Sequence, residues 1–156
     1  MQELSQDVPG VRFFPPLLFA APLVLGIVAG RGERSSTRKA MFARRLGVAS
    51  ILTGVAIGAA AVSDFKRAGA NIDVRQPSLA LATDGVYRYT RNPIYVGLTA
   101  VYVGVALRAR ALPALALLPI VLALLDSGVV DREERYLERR FGDAYRSYRE
   151  RVPRWF

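Results

Sequence analysis

The residues best suited to chemistry gather at two places in the chain. Residues 86–97 read VYRYTRNPIYVG, which sets Tyr87, Arg88, Tyr89, Arg91, Asn92 and Tyr95 at the mouth of an apolar run. Asn92 followed by Pro93 predicts a helix start, with Asn as the cap and proline in the first position, where its missing N–H does no harm. The free N–H groups and positive dipole end of such a helix favour an anion, and Arg88 and Arg91 reinforce that. Tyr95 lies one turn inside, where a hydroxyl facing lipid would be costly, so it is expected to meet a polar partner. Arg88 and Tyr89 read more simply as anchors at a membrane boundary. The second place is residues 126–156, DSGVVDREERYLERRFGDAYRSYRERVPRWF. If the preceding helix continues, Asp126, Val130 and Glu133 share a face, because seven residues make about two turns. Glu133 is the carboxylate expected to turn toward the first cluster. Glu134, Glu138, Arg139, Arg140 and Glu150 read as a solvated face. A pocket built from the two places offers N–H groups, Arg and Asn on one wall and a carboxylate on the other. It suits a ligand with an anionic end, a hydroxylated middle and a flat ring.

The chain has neither histidine nor cysteine. That removes the commonest general base, the commonest transition-metal ligands, thiol chemistry and disulfides. No metal site is expected. Catalysis must rest on Arg, Asp/Glu, Tyr, Asn and backbone groups, or on a reactive cofactor. The net charge is +9. Its basic residues flank apolar stretches rather than form a soluble basic face, so anionic membrane lipid is the expected partner and nucleic acid is not.

The elements that must position these residues are apolar. Of the 156 residues, 52% are hydrophobic, yet 22% are charged, and the two classes are segregated. Residues 13–30, 46–63, 92–107 and 111–130 are nearly free of charge. Their lengths approach the roughly 20 residues needed to cross a bilayer, and backbone satisfaction in lipid demands helices. The fold class expected is therefore all-α integral membrane, with about four transmembrane helices and an amphipathic C-terminal helical tail. The last two stretches are separated by Arg108-Ala109-Arg110 and form a tight hairpin. Leu137, Phe141, Tyr145, Tyr148 and Val152 recur at helical spacing in the tail, and Gly142-Asp143 reads as a stop and a new cap. With both termini inside, the inner segments hold 14 Lys/Arg against eight outside, which favours a cytoplasmic C-terminus, although residues 31–45 hold six of those eight. Gly54 and Gly58 form a GxxxG that suits close helix packing. The length fits a single membrane domain, 1–156, divided into an N-terminal helix pair at 13–63 and a core at 66–156. The N-terminus, with Glu3, Asp7 and several prolines, does not read as a signal peptide.

TDGVYRYTRNPIYVG, followed after a hydrophobic hairpin by REERYLERRFGDAYRSYRERVPRW, resembles the isoprenylcysteine carboxyl methyltransferase family in its short prokaryotic form. Phospholipid N-methyltransferases are similar relatives. The resemblance covers about residues 66–156. It implies S-adenosylmethionine as methyl donor, held by the hairpin and the C-terminal segment, and a lipophilic or lipidated acceptor entering from the bilayer. It implies cofactor contacts at Leu79, Ala80, Leu81, Ala82, Tyr87, Asn92, Pro93, Ile94, Tyr95 and Glu133, and catalytic duties for Arg91, Asn92 and Glu133. Asn92 stands where the eukaryotic members have histidine. Val129 stands where they have an arginine implicated on the acceptor side, and Arg132 is off that face. The expected activity is carboxyl O-methylation of a prenyl-like acceptor at the cytoplasmic face of the cell inner membrane. The alternatives are an amine or phospholipid N-methyltransferase and a non-catalytic membrane scaffold.

Overall fold

A computed structural model describes residues 14–30, 38–69 and 80–155. Among these there is no strand. The elements are α1 (Pro15–Ala29), α2 (Arg38–Arg67), a 3-10 turn (Gly85–Arg88), α3 (Pro93–Ala109), α4 (Leu112–Leu125), a π-helical segment (Asp126–Val130), α5 (Asp131–Phe141) and α6 (Asp143–Arg151). Each of the four apolar stretches is helical. Two helices, Ala40–Arg67 and Leu112–Phe141, are long and apolar enough to cross a membrane, and α1 and α3 are shorter apolar helices. At 1.5 Å per residue the short pair reach only about 22–26 Å, against a hydrocarbon core of about 30 Å.

α2 begins earlier than the apolar pattern predicts, at Arg38 rather than residue 46, and runs past residue 63 to Arg67. Its opening residues, including Arg38, Ala40, Met41, Arg44 and Arg45, are good helix formers, and arginine stems can lie along an apolar surface while their heads reach water. A polar composition therefore does not end the helix.

α3 is the hub, packed against α1, α2 and α4. Its seam with α2 is made of glycines. A Cβ on Gly54 would lie 2.5 Å from the Gly97 carbonyl oxygen, and one on Gly47 would lie 2.6 Å from that of Gly104. The reverse approaches are equally close, so two glycine pairs, seven residues apart on each helix, bring antiparallel backbones together. Packing does run through Gly54, with Gly47 as the second close approach on α2; the Gly58 backbone also lies against Gly97, 3.1 Å from a Cβ there, although a Cβ on Gly58 itself would meet nothing. Ser50 Oγ donates to the Ala100 carbonyl at 2.7 Å across the same seam.

The α3–α4 hairpin turns at Arg110, which is left-handed at φ 58°, and Ala111. Tyr102 Oη donates to the Ala114 carbonyl at 2.7 Å and ties its two arms. α1 lies against α4, with Gly26 facing Ala114. The core at this junction holds Phe19, Tyr102, Ala114, Val121, Leu125 and Val129. Leu17, Leu25, Leu52, Val55 and Ile120 remain exposed on the outside of the bundle, an apolar surface larger than scattered surface residues would give.

The helix starting at Leu112 does continue through Asp126, as expected, but by way of the π segment. The wider turn places one extra residue in the winding. The expected Asp126–Glu133 face is lost for that reason, and Asp126 aligns with Glu134 instead. Gly142, at φ 52°, ends α5, and Asp143 is the first residue of α6 rather than its cap.

Candidate active site

The alternation of helix directions brings the end of α2, the start of α3 and the end of the long fourth helix to one end of the bundle. Here the two chemical clusters meet. Tyr95 Oη donates to Glu133 Oε1 at 2.6 Å. Both side chains stand on helices, so this short bond is held by backbone on each side.

Pro93 is the first residue of α3, as the sequence predicts, and Asn92 precedes it without a side-chain capping bond. The Asn92 amide donates instead from Nδ2 to the Arg154 carbonyl at 3.1 Å. Thr90 Oγ1 donates to that same carbonyl at 2.8 Å and accepts from the Asn92 N–H at 3.2 Å. The Arg91 N–H donates to the Pro153 carbonyl at 3.0 Å. The chain after α6 is thus strapped across the start of α3, and Asn92 is one of its buckles. Trp155 continues the strap onto the apolar core.

Arg91 does not reach Glu133. Its guanidinium, 11% exposed, pairs with Glu134 Oε1 at 2.9 Å and donates to Tyr145 Oη at 3.2 Å. Its Nε is buried and has no hydrogen-bond partner among the described residues. Arg154 completes the network. It bonds both Glu134 oxygens, at 3.1 and 2.8 Å, and both Asp126 oxygens, at 3.1 and 3.2 Å, and pairs with Asp131 at 3.0 Å. Its pKa is raised, first by the hydrogen bond to Glu134. Glu134 is therefore no member of a solvated face: the π segment turns it inward.

The segment before α3 lines the other side. Ala82 and Tyr87 pack with Ala61, Phe65, Val86 and Ile94, while Leu81 joins Leu137, Phe141, Tyr145, Tyr148 and Val152. Tyr148 Oη donates to the Tyr87 carbonyl at 2.8 Å. Burial raises the Tyr87 hydroxyl's pKa far above the ordinary phenol value, with Tyr148, Glu133 and Asp64 adding to the effect. Tyr87 thus remains a neutral donor within the electrostatic reach of Glu133. Ala80 borders this segment, and Leu79 lies outside the described residues. Arg88 and Tyr89 point away and are exposed. Val129 is fully buried in the apolar core.

A sequence profile of the phospholipid methyltransferase family matches residues 42–144. The chain belongs to the phospholipid methyltransferase family. The match takes in the glycine seam, the segment before α3, Tyr95, Glu133 and Glu134. A stretch of 73 residues is 38% identical to the protein-S-isoprenylcysteine O-methyltransferase of Schizosaccharomyces pombe, covering 47% of this chain and 31% of the yeast protein. A stretch of 36 residues is 44% identical to an uncharacterized protein of Haemophilus influenzae, covering 23% of this chain and 57% of that protein. No solved structure matches the chain. Sequence reasoning missed Thr90, Glu134, Tyr145 and Arg154. Thr90 had a local signal, a Thr two residues before Asn-Pro in a turn setting; the others become site residues only through the π segment and the strap.

Proposed function

We propose that this membrane methyltransferase uses S-adenosylmethionine to methylate a carboxylate on a lipophilic, prenyl-like acceptor. The observation that carries the reading is the Tyr95–Glu133 bond at 2.6 Å, which joins the two motif segments at one mouth of the bundle. The donor set fits the cosubstrate. Glu133 offers its carboxylate to a ribose hydroxyl, Arg91 keeps a buried N–H at Nε for an anionic group, and Tyr87 stays neutral. Ala80, Leu81, Ala82, Pro93 and Ile94 supply backbone and apolar surface for a flat ring. When bound, the cosubstrate supplies a methyl carbon on a sulfonium, which a carboxylate oxygen takes in one displacement, the bonding pair leaving on sulfur and no proton moving.

The chain's own part is then positioning and exclusion of water. Tyr95 fixes the Glu133 carboxylate, the Glu134–Tyr145 pair fixes Arg91, and the strap closes one side. Asn92 retains its side-chain oxygen as an acceptor. With all four apolar helices read as spanning, the site faces the cytoplasm of the inner membrane, and the exposed apolar flanks meet the lipid from which the acceptor enters.

Methylation of a phospholipid amine is the second reading, favoured by the family's description. It requires loss of a proton from the amine, which Glu133 or a tyrosine would have to share.

The test is S-adenosylmethionine binding to detergent-purified protein. Saturable binding is expected in the wild type, with loss of at least tenfold in affinity in both Glu133→Ala and Arg91→Ala; equal affinity in all three rejects the site. Transfer of labelled methyl to a farnesylcysteine analogue, released as methanol by alkali, supports O-methylation. An alkali-stable label in lipid headgroups supports the amine reading.

A further inference from the structure

The 3-10 turn at Gly85–Arg88 lies in the segment assigned to the cosubstrate, and it is too short to hold itself. Four residues make few internal hydrogen bonds, and the N–H groups of the first turn have no partner within it. Asp84 stands at the N-cap position of the turn but makes no side-chain capping bond. The bond comes from another helix. Asp64, near the end of α2 and only 8% exposed, accepts the Val86 N–H on Oδ2 at 2.8 Å. Its other oxygen is paired with Arg67.

Two further observations show a fitted contact. Gly85 has φ +61°, and a Cβ there would overlap the Asp64 carboxylate. Around the contact, Ala61 and Phe65 of α2, with Ala68 just beyond its end, pack against Ala82, Val86, Tyr87 and Ile94, and the Phe65 and Tyr87 ring centroids are 5.5 Å apart. The opposite side of the turn is held by Tyr148. A buried carboxylate is costly unless its oxygens are satisfied, and here both are.

We infer that Asp64 is a positioning residue for the cosubstrate site: acting as a cap delivered from α2, it holds the turn that carries Tyr87 and the Leu81–Ala82 wall. The inference rests on the functional reading above. It also makes α2 a contributor to the site rather than a membrane anchor alone.

The experiment uses the full chain in detergent. It measures S-adenosylmethionine affinity together with amide hydrogen exchange over residues 82–88 of ligand-free protein, in the wild type, Asp64→Ala, Asp64→Asn and Asp84→Ala. Asp64→Ala is expected to weaken binding at least tenfold and to lose protection at Val86 while helical content is unchanged. Asp64→Asn retains an acceptor oxygen and is expected to bind within threefold of wild type, a rescue that loss of general stability would not give. Asp84→Ala is expected to match wild type. Gly85→Ala crowds the contact from the loop side without altering α2 and is expected to copy Asp64→Ala, so it serves if that variant does not fold. Wild-type affinity in Asp64→Ala or Gly85→Ala, or failure of the Asn rescue, overturns the inference. A wild type that binds no S-adenosylmethionine overturns the functional reading instead. Exchange then judges the clamp, which falls if Val86 stays protected in Asp64→Ala.

Discussion

The two ends of the bundle use arginine in opposite ways. At the Glu133 end, Arg91 and Arg154 are threaded among Asp126, Asp131 and Glu134, with every one of those carboxylates paired. At the other end, Arg44, Arg45 and Arg108 surround an open cleft beside Val48, all three exposed and none in an ion pair among the described residues. The same residue type is therefore structural at one end and a solvated boundary group at the other. Charge count locates a membrane interface; only pairing across distant parts of the chain marks the place where the fold is being held for a purpose.

The largest effect that sharpens this contrast is expected from Arg154→Ala. It leaves three carboxylates without their shared counter-charge and removes the side chain that ties the strap to the π segment and α5. Breaking a buried pair costs about 3–5 kcal/mol; Arg154 is 30% exposed, so about 2–3 kcal/mol is expected after solvent screening. Denaturant unfolding in detergent measures it. A change under about 0.5 kcal/mol would make this end no different from the other.

Next in size is the glycine seam, which neither end's charges explain. Gly54→Leu places a side chain where even a Cβ meets the Gly97 carbonyl oxygen at 2.5 Å. Overpacking of this kind costs about 1–3 kcal/mol. Gly58→Ala, with open space at its Cβ, is expected to be neutral within about 0.5 kcal/mol. Equal effects at the two positions would show that the four-residue spacing, not the seven-residue one, carries the packing.

A third effect depends on pH. Burial raises the hydroxyl pKa of Tyr87, Tyr145 and Tyr148 above the ordinary 10.0. The folded state therefore holds its phenolic protons where the unfolded chain has released them. That contribution is complete below about pH 10 and is lost as the pH rises beyond it, because the unfolded chain then binds fewer protons. Melting temperature is expected to fall between pH 10 and 11.5, less steeply in Tyr148→Phe. An identical slope in the variant would remove Tyr148 from this account.

The smallest effect belongs to the open end. Arg44→Gln with Arg108→Gln is expected to change stability by less than about 0.5 kcal/mol, and a larger loss would reveal pairing there comparable to the site end.

The site was partly legible in the sequence because some of its signals are local. Asn92-Pro93 announces a helix start wherever it occurs, and Tyr95 one turn inside an apolar run needs a partner. Glu133 drew attention by emerging from a membrane-length helix. What the sequence hid depends on register and return paths. Asp126 and Glu134 face Arg154 because a π segment adds a residue to the winding, and DSGVV carries no mark of that. Arg154 and Asp64 become informative only when the chain's last residues and the end of α2 fold back against the start of α3. The helix bundle itself was easier to see, since segregated apolar stretches dictate it. The pairing of Gly47 with Gly104 and Gly54 with Gly97 was not, because an antiparallel match between helices leaves no pattern within either one alone.

The most direct test of a single shared site is a double-mutant cycle on S-adenosylmethionine affinity with Tyr95→Phe and Glu133→Gln. If the Tyr95 hydroxyl acts by holding the carboxylate that binds the cosubstrate, the two losses overlap. The double variant is then no weaker than Glu133→Gln alone, with a coupling of at least about 1 kcal/mol. Strictly additive losses, or full affinity in all three variants, would contradict it.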